Sequence, residues 1–258
     1  MIKTFLFLIG GKSLAFLQEL GGILVMLVQS LVWTFTPPFR FRNLIKQMEF
    51  IGVKSIFIVV LTGVFSGMVL ALQSFHGLRK FGGESLMGGI VALSLAREMG
   101  PVMTSLVVNA RAGSAIAAEI GTMRITEQID ALKMMAINPI QYLVVPRIWA
   151  GILVVPLLTA INILVGIVGG YLVGVELLNI NSGVFIDKMI KMVEISDLVQ
   201  GMVKSIVFGL ILTLIGSYKG YNTQGGAEGV GRATTEAVVI TSVATLIGTY
   251  VITSLFFK

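Results

Sequence analysis

Three ionisable residues sit inside stretches that otherwise suit lipid. Arg97 and Glu98 interrupt the apolar run Leu86 to Ala110 within the string LSLAREMGPVMTS, and Lys204 lies several residues into a second run, Leu198 to Ser217. A charge at that depth costs at least about 2.5 kcal/mol unless it is paired or hydrated, so each is a functional candidate by position alone. Neighbouring helical residues point about 100° apart, so Arg97 and Glu98 cannot both face one cavity and each calls for its own partner. Lys204 is the candidate partner of Glu98 across helices. Two readings stay open: an ion network that only fixes helix positions, or a cavity lined by Leu, Val and Met in which Arg97 or Lys204 meets an anionic headgroup. Gly100-Pro101 follows at once and is expected to kink or loosen its helix.

Little other chemistry is available. With no Cys there is no disulfide, thiol chemistry or Cys-based metal site. His76 is the only histidine, which excludes an HExxH site and leaves no serine with a histidine to activate it. Gly11-Lys12-Ser13 matches the end of a phosphate-binding loop, but Leu6 stands where that motif needs glycine, and a soluble α/β setting is missing. No catalytic residue, metal or cofactor is expected in this chain.

A second constellation lies between two apolar stretches, in AEIGTMRITEQIDALKMMAINPIQYLVVP from Ala118 to Pro146. Ile125, Ile129, Leu132 and Ala136 recur at i, i+4, i+7 and i+11 and form one apolar stripe, with Glu127, Asp130 and Lys133 on another face. The spacing predicts an amphipathic helix over 120–137, ended by Asn138-Pro139. Such a helix, exposed between membrane spans, suits a groove on a soluble partner, where Glu127 and Asp130 would pair with basic residues. A merely solvated charged face is the alternative. The glycine-rich stretch Gly225 to Gly231 permits positive φ and close backbone approach.

These residues must be positioned by membrane helices. The 258 residues are 55% hydrophobic and 12% charged, with mean hydropathy +0.94, the composition of a multispan protein. A span needs about 20 apolar residues, and segments near 55–75, 86–110, 148–175, 198–217 and 237–257 qualify. Leu14 to Phe35 is apolar enough to span but carries Gln18, Glu19, Gln29 and a Gly21-Gly22 break, so residues 1–50 are expected as an interfacial elbow segment. Lys12 cuts the N-terminal apolar run short, which argues against a cleaved signal peptide. Between Glu176 and Asp197, the spacing of Phe185, Met189, Met192 and Val193 predicts a small amphipathic surface helix.

With the N-terminal segment in the cytoplasm, that side receives twelve Lys and Arg against five on the other, while Arg97 and Lys204 stay within the spans. The basic balance thus reports topology rather than nucleic acid, and it puts the 120–137 helix, the Gly220 to Ala237 loop and the N-terminus on the cytoplasmic side with the C-terminus opposite. Gly63-x-x-x-Gly67 and the series Gly166, Gly170, Gly174 provide small-residue faces, for packing within the chain or for a dimer seam. No internal repeat of the secondary-transporter kind is visible. The chain reads as one all-α membrane domain over 1–258.

Two long strings carry a resemblance, AREMGPVMTSLVVNARAGSAIAAEIGTMRITEQIDALKMMAINPIQYLVVPR from Ala96 to Arg147 and NTQGGAEGVGRATTEAVV from Asn222 to Val239. Here the chain resembles the MlaE/YrbE permeases, membrane subunits of ABC transporters associated with MCE proteins. The resemblance implies an interfacial helix and five spans, a homodimer, and a separate cytoplasmic ATPase that holds the ATP and magnesium. It implies a periplasmic MCE-domain protein and a small STAS-type subunit as further partners, and phospholipids or related lipids as cargo in the bacterial inner membrane. Arg97, Glu98 and Lys204 match charged positions around the family's lipid cavity. Arg124, Glu127, Asp130 and Leu132 fall on its ATPase-coupling helix. Tyr250 departs from the pattern, standing near an acidic residue of better-known members and leaving the charge network one carboxylate short. An ion-coupled transporter using Glu98 as a proton site and a non-transporting scaffold are the competing readings.

Overall fold

The computed structural model describes the backbone over residues 2–256, and side chains over 17–256 together with Gly11 and Leu14. Lys3, Lys12, Ser13 and Lys258, used above in the charge count and the phosphate-loop comparison, have side chains outside the described residues. Among the described residues every regular element is helical. In order they are α1 (Ile2–Thr34), α2 (Phe41–Ile51), α3 (Ile56–Arg79), α4 (Glu84–Ile125), α5 (Gln128–Met134), α6 (Ile140–Leu177), α7 (Ser182–Met192), α8 (Ile195–Tyr221) and α9 (Gly226–Phe256). The all-α membrane architecture is the one expected.

Among the described residues six helical stretches are long and apolar enough to cross a membrane, and Leu17–Thr34 of α1 is one of them. Its contacts give it a different course. Glu19 Oε1 lies 2.5 Å from Lys219 Nζ in the last turn of α8, and Gly22 lies directly against the ring of Tyr218. At the other end of α1, Trp149 Nε1 donates to Thr34 Oγ1 at 3.1 Å, and Gln141 Nε2 donates to the carbonyl of Thr36 at 2.6 Å. The end of α8 and the start of α6 belong to one end of the bundle, so α1 lies across that end instead of running its length. That is the geometry of an elbow helix. The amphipathic α2 follows at the same level, with Leu44, Met48 and Ile51 turned to the core, Phe41 and Ile45 outward, and Arg42, Lys46 and Glu49 on a polar face.

Helix α6 is the centre of the bundle, packed against α3 and α8. Close approach is permitted by glycine: a Cβ at Gly67 would land on the carbonyl oxygen of Gly166, and one at Gly209 on that of Gly151. The Gly63/Gly67 and Gly166/Gly170 faces are therefore used within this chain. Buried Val59, Val108, Ile116, Val155, Leu158 and Leu212 fill the main core, and Phe185 of α7 plugs a second one against Met87, Val91 and Val173. Helix α7 is the surface helix expected there, started by Asn181, whose Oδ1 accepts from the N–H groups of Gly183 and Val184.

The amphipathic segment departs from expectation. Helix α4 runs on to Ile125, Thr126 ends it, and Glu127 takes a left-handed φ of 58° before the short α5 begins. The predicted helix over 120–137 is thus two helices with a break at the charged face. Ala136 has φ 56° and lies beyond α5, so the i+11 member of the stripe leaves the helix. Asn138-Pro139 does not end a helix but starts α6: Asn138 Oδ1 accepts from the N–H of Ile140 at 2.9 Å and of Gln141 at 3.3 Å. A small cavity joins Lys133 and Ala136 to Tyr221, placing α5 and the α8–α9 connection at the same end of the bundle, as expected. In that connection only Gly225 and Gly226 adopt positive φ, and the remaining glycines of Gly225 to Gly231 are already in α9.

Candidate functional site

The intramembrane charges converge. Lys204, wholly buried on α8, donates to Glu98 Oε1 at 2.6 Å and to the backbone carbonyl of Arg97 at 2.8 Å. The second bond has a cause in sequence. In an α-helix the carbonyl of Arg97 would accept from the N–H of residue 101, and Pro101 has none. The ammonium of Lys204 supplies the missing donor. The expected loosening by Gly100-Pro101 takes the form of one π-helical turn over Leu95–Met99, closed by the N–H of Gly100 on the carbonyl of Leu95.

Arg97 and Glu98 diverge as adjacent helical residues must. The Nε of Arg97 donates to Asp197 Oδ1 at 2.5 Å, while Glu98 faces Lys204 and the hydroxyl of Thr253, 2.9 Å away on α9. Asp197 is 2% exposed and serves twice, since its Oδ2 also accepts from the N–H of Glu194 at 2.9 Å in the capping box that starts α8. The cluster therefore holds two cations and two carboxylates, drawn from α4 and α8 with a hydroxyl from α9. Arg97 and Glu98 are 29% and 36% exposed, so it opens at the bundle surface. It lies in the half of the bundle away from α5, because Asp197 is in the first turn of α8 and Lys219 in its last.

Two of these residues escaped sequence reading. Asp197 lies just before the apolar run that begins at Leu198, although Glu194-x-x-Asp197 ahead of that run carries capping-box spacing. Thr253 belongs to a series with Thr241, Thr245 and Thr249 at i+4 intervals, a hydroxyl stripe on one face of α9. Tyr250 is 76% exposed on the outer face of α9 and takes no part in the cluster. Asp197 supplies the second carboxylate of the cluster.

At the opposite end, the four coupling candidates separate. Arg124 Nη1 donates to both carboxylate oxygens of Asp130, at 3.0 and 3.1 Å, and Lys133 Nζ donates to Oδ1 at 3.1 Å. The Lys133 ammonium, joined by the Arg124 guanidinium, holds the Asp130 carboxyl below its usual range. Asp130 is thus already paired within the chain, contrary to the expectation of an open carboxylate pair. Glu127 stands exposed at the break before α5. Leu132 and Ile129 are buried in this chain's own core, so the middle of the apolar stripe is covered from within while Ala136 is exposed, and the large exposed apolar residues of α5 and its exit are Met134, at 89%, and Met135. Behind α5, Arg147 is buried and bound to Glu119 at 2.8 Å and to the carbonyl of Leu143 at 2.7 Å, beside a cavity of about 650 Å³ between α2 and α4.

A helical membrane bundle with a neutralised ion cluster in one half and a short broken helix at the other end is built as a transport subunit. The chain belongs to the MlaE permease family, whose model matches residues 44–255. It is 45% identical over 250 residues, 97% of this chain and 96% of the other, to a probable ABC transporter permease protein of Rickettsia bellii. Over its full length it is 40% identical to the intermembrane phospholipid transport system permease protein MlaE of Haemophilus influenzae, covering 99% of that protein. It also matches the chloroplastic protein trigalactosyldiacylglycerol 1 of Arabidopsis thaliana, 39% identical over 219 residues, which are 85% of this chain and 63% of that one.

Proposed function

We propose that the chain is the transmembrane permease subunit of an ATP-driven transporter that moves phospholipids between the bacterial inner membrane and a periplasmic MCE-domain protein. The observation that carries the reading is the cluster of Arg97, Glu98, Asp197 and Lys204, held where three membrane helices meet and open at its Arg97 and Glu98 side. A balanced cluster is tolerable in lipid when empty, and an anionic headgroup that competes with a carboxylate for Arg97 gains a charge-assisted bond. Differential affinity for two shapes of that site is what converts ATP binding into lipid movement.

The functional unit is a homodimer with a separate cytoplasmic ATPase. Val239, Val243, Ile247 and Tyr250 leave an exposed apolar face on α9 that a second copy or lipid covers. Glu127, Met134 and Met135 at α5 offer the ATPase a charged and apolar contact, with Arg124, Asp130 and Leu132 fixing the segment's shape from behind. The N-terminus lies on the cytoplasmic side and the C-terminus on the periplasmic side.

Copurification from native membranes, with mass spectrometry of the associated proteins and lipids, tests the assignment. An ATPase subunit and bound phospholipid are expected. A preparation that carries neither, while the chain itself is folded, overturns it.

A further inference from the structure

The only two tryptophans of the chain, Trp33 and Trp149, line one cavity of about 350 Å³ at the turn between α1 and α2. Phe35, Phe39 and Phe41 complete its aromatic wall. Most of its polar handles are already used inside the protein, since Trp149 donates to Thr34 and Gln141 to the carbonyl of Thr36. Arg40 is the exception. Its guanidinium stacks over Tyr142, 4.7 Å from the ring centroid, yet its Nε is shielded from solvent and has no acceptor among the described residues. Arg40 as a whole is half-buried, but a donor of a charged group that is shut off from solvent and left without an acceptor is unfavourable, which points to a ligand that supplies the acceptor.

From these features we infer that the cavity is a binding site for an anionic phospholipid, with the glycerol and upper acyl carbons against the aromatic wall and the phosphate on Arg40. The depth fits, because the elbow helix and the amphipathic α2 lie across one end of the bundle, and tryptophan concentrates at the membrane–water boundary. The charge fits as well. No carboxylate among the described residues lines the cavity, and the exposed polar face of α2 carries Arg42 and Lys46 against the single carboxylate of Glu49. The same arginine argues against a zwitterionic choline headgroup in the aromatic wall, since it would repel the ammonium. The volume is within the range of small-ligand sites. This site shares no residue with the Arg97 cluster and does not depend on the transport reading.

The tryptophans report on the site directly. The full-length chain is reconstituted in phosphatidylcholine bilayers in which a rising fraction is replaced by brominated phosphatidylglycerol or, in parallel, by brominated phosphatidylcholine. Quenching of tryptophan emission by the brominated anionic lipid is expected to half-saturate at a severalfold lower mole fraction. In Arg40→Gln the two curves coincide while the emission maximum stays in place, which shows that the aromatic wall is intact. If both lipids quench the native chain equally, the cavity holds only annular lipid and the inference falls. It falls too if the selectivity survives Arg40→Gln, or if excess inorganic phosphate abolishes it and so identifies a free anion as the ligand.

Discussion

Glu98→Gln should destabilise the protein more than Lys204→Met, although each removes one half of the same ion pair. Lys204 is wholly buried, and its two acceptors are Glu98 Oε1 and the Arg97 carbonyl. Glu98→Gln leaves that ammonium facing neutral acceptors only, and stripping one partner from a buried pair costs about 3–5 kcal/mol. Lys204→Met leaves a carboxylate that is 36% exposed and keeps its contact with Thr253. Its main loss is the donor to the Arg97 carbonyl orphaned by Pro101, worth about 1–3 kcal/mol. The double variant has no stranded charge and a methionine of similar volume, so it should be more stable than Glu98→Gln alone by roughly 2 kcal/mol. Unfolding in mixed micelles by rising detergent mole fraction, followed by tryptophan emission, gives the four corners of the cycle. Additive single effects, or a Lys204→Met loss equal to that of Glu98→Gln, would refute the paired geometry.

Three further outcomes follow from particular contacts. Asp130 has its carboxyl held low by Lys133 and Arg124, so its contribution is present above the ordinary carboxylate range and is lost as pH falls through the depressed value; protease resistance around Thr126 to Ile137 should therefore exceed that of Asp130→Asn at neutral pH and converge with it in acid. Gly67→Ala should cost about 1–3 kcal/mol or more by forcing α3 from the Gly166 carbonyl, whereas Gly77→Ala, with nothing near its Cβ, should be neutral in the same unfolding assay. Glu127→Gly should keep or raise stability, since a left-handed non-glycine residue carries about 1 kcal/mol of strain, while weakening copurification of the ATPase; unchanged copurification would move the contact to Met134 and Met135.

The fold was legible where a single periodicity decided it. Apolar runs marked the spans, and adjacent charges at positions 97 and 98 required separate partners, which the structure supplies. The elbow course of α1 is open in sequence, because length and hydropathy alone permit a crossing; the contacts of Glu19 with Lys219 and of Thr34 with Trp149 carry it across one end of the bundle. Reading failed most at Ile125 to Ala136. Apolar periodicity shows that a stripe is buried but not by what, and Ile129 and Leu132 turned inward to this chain's own core. The left-handed break at Glu127 had no local signal, since neither glycine nor asparagine stands there. Asp197 falls outside the apolar run because that run begins at Leu198, three residues after α8 itself starts at Ile195.

The central claim is that this chain moves phospholipid only when a separate ATPase acts on it. Reconstitution with the copurified ATPase in one population of vesicles, with fluorescent phospholipid transferred to an MCE-domain acceptor, measures this directly. Transfer is expected with ATP, absent with a non-hydrolysable analogue, and absent when the ATPase is omitted. Transfer at the full rate without the ATPase, or driven by an ion gradient alone, would contradict the account.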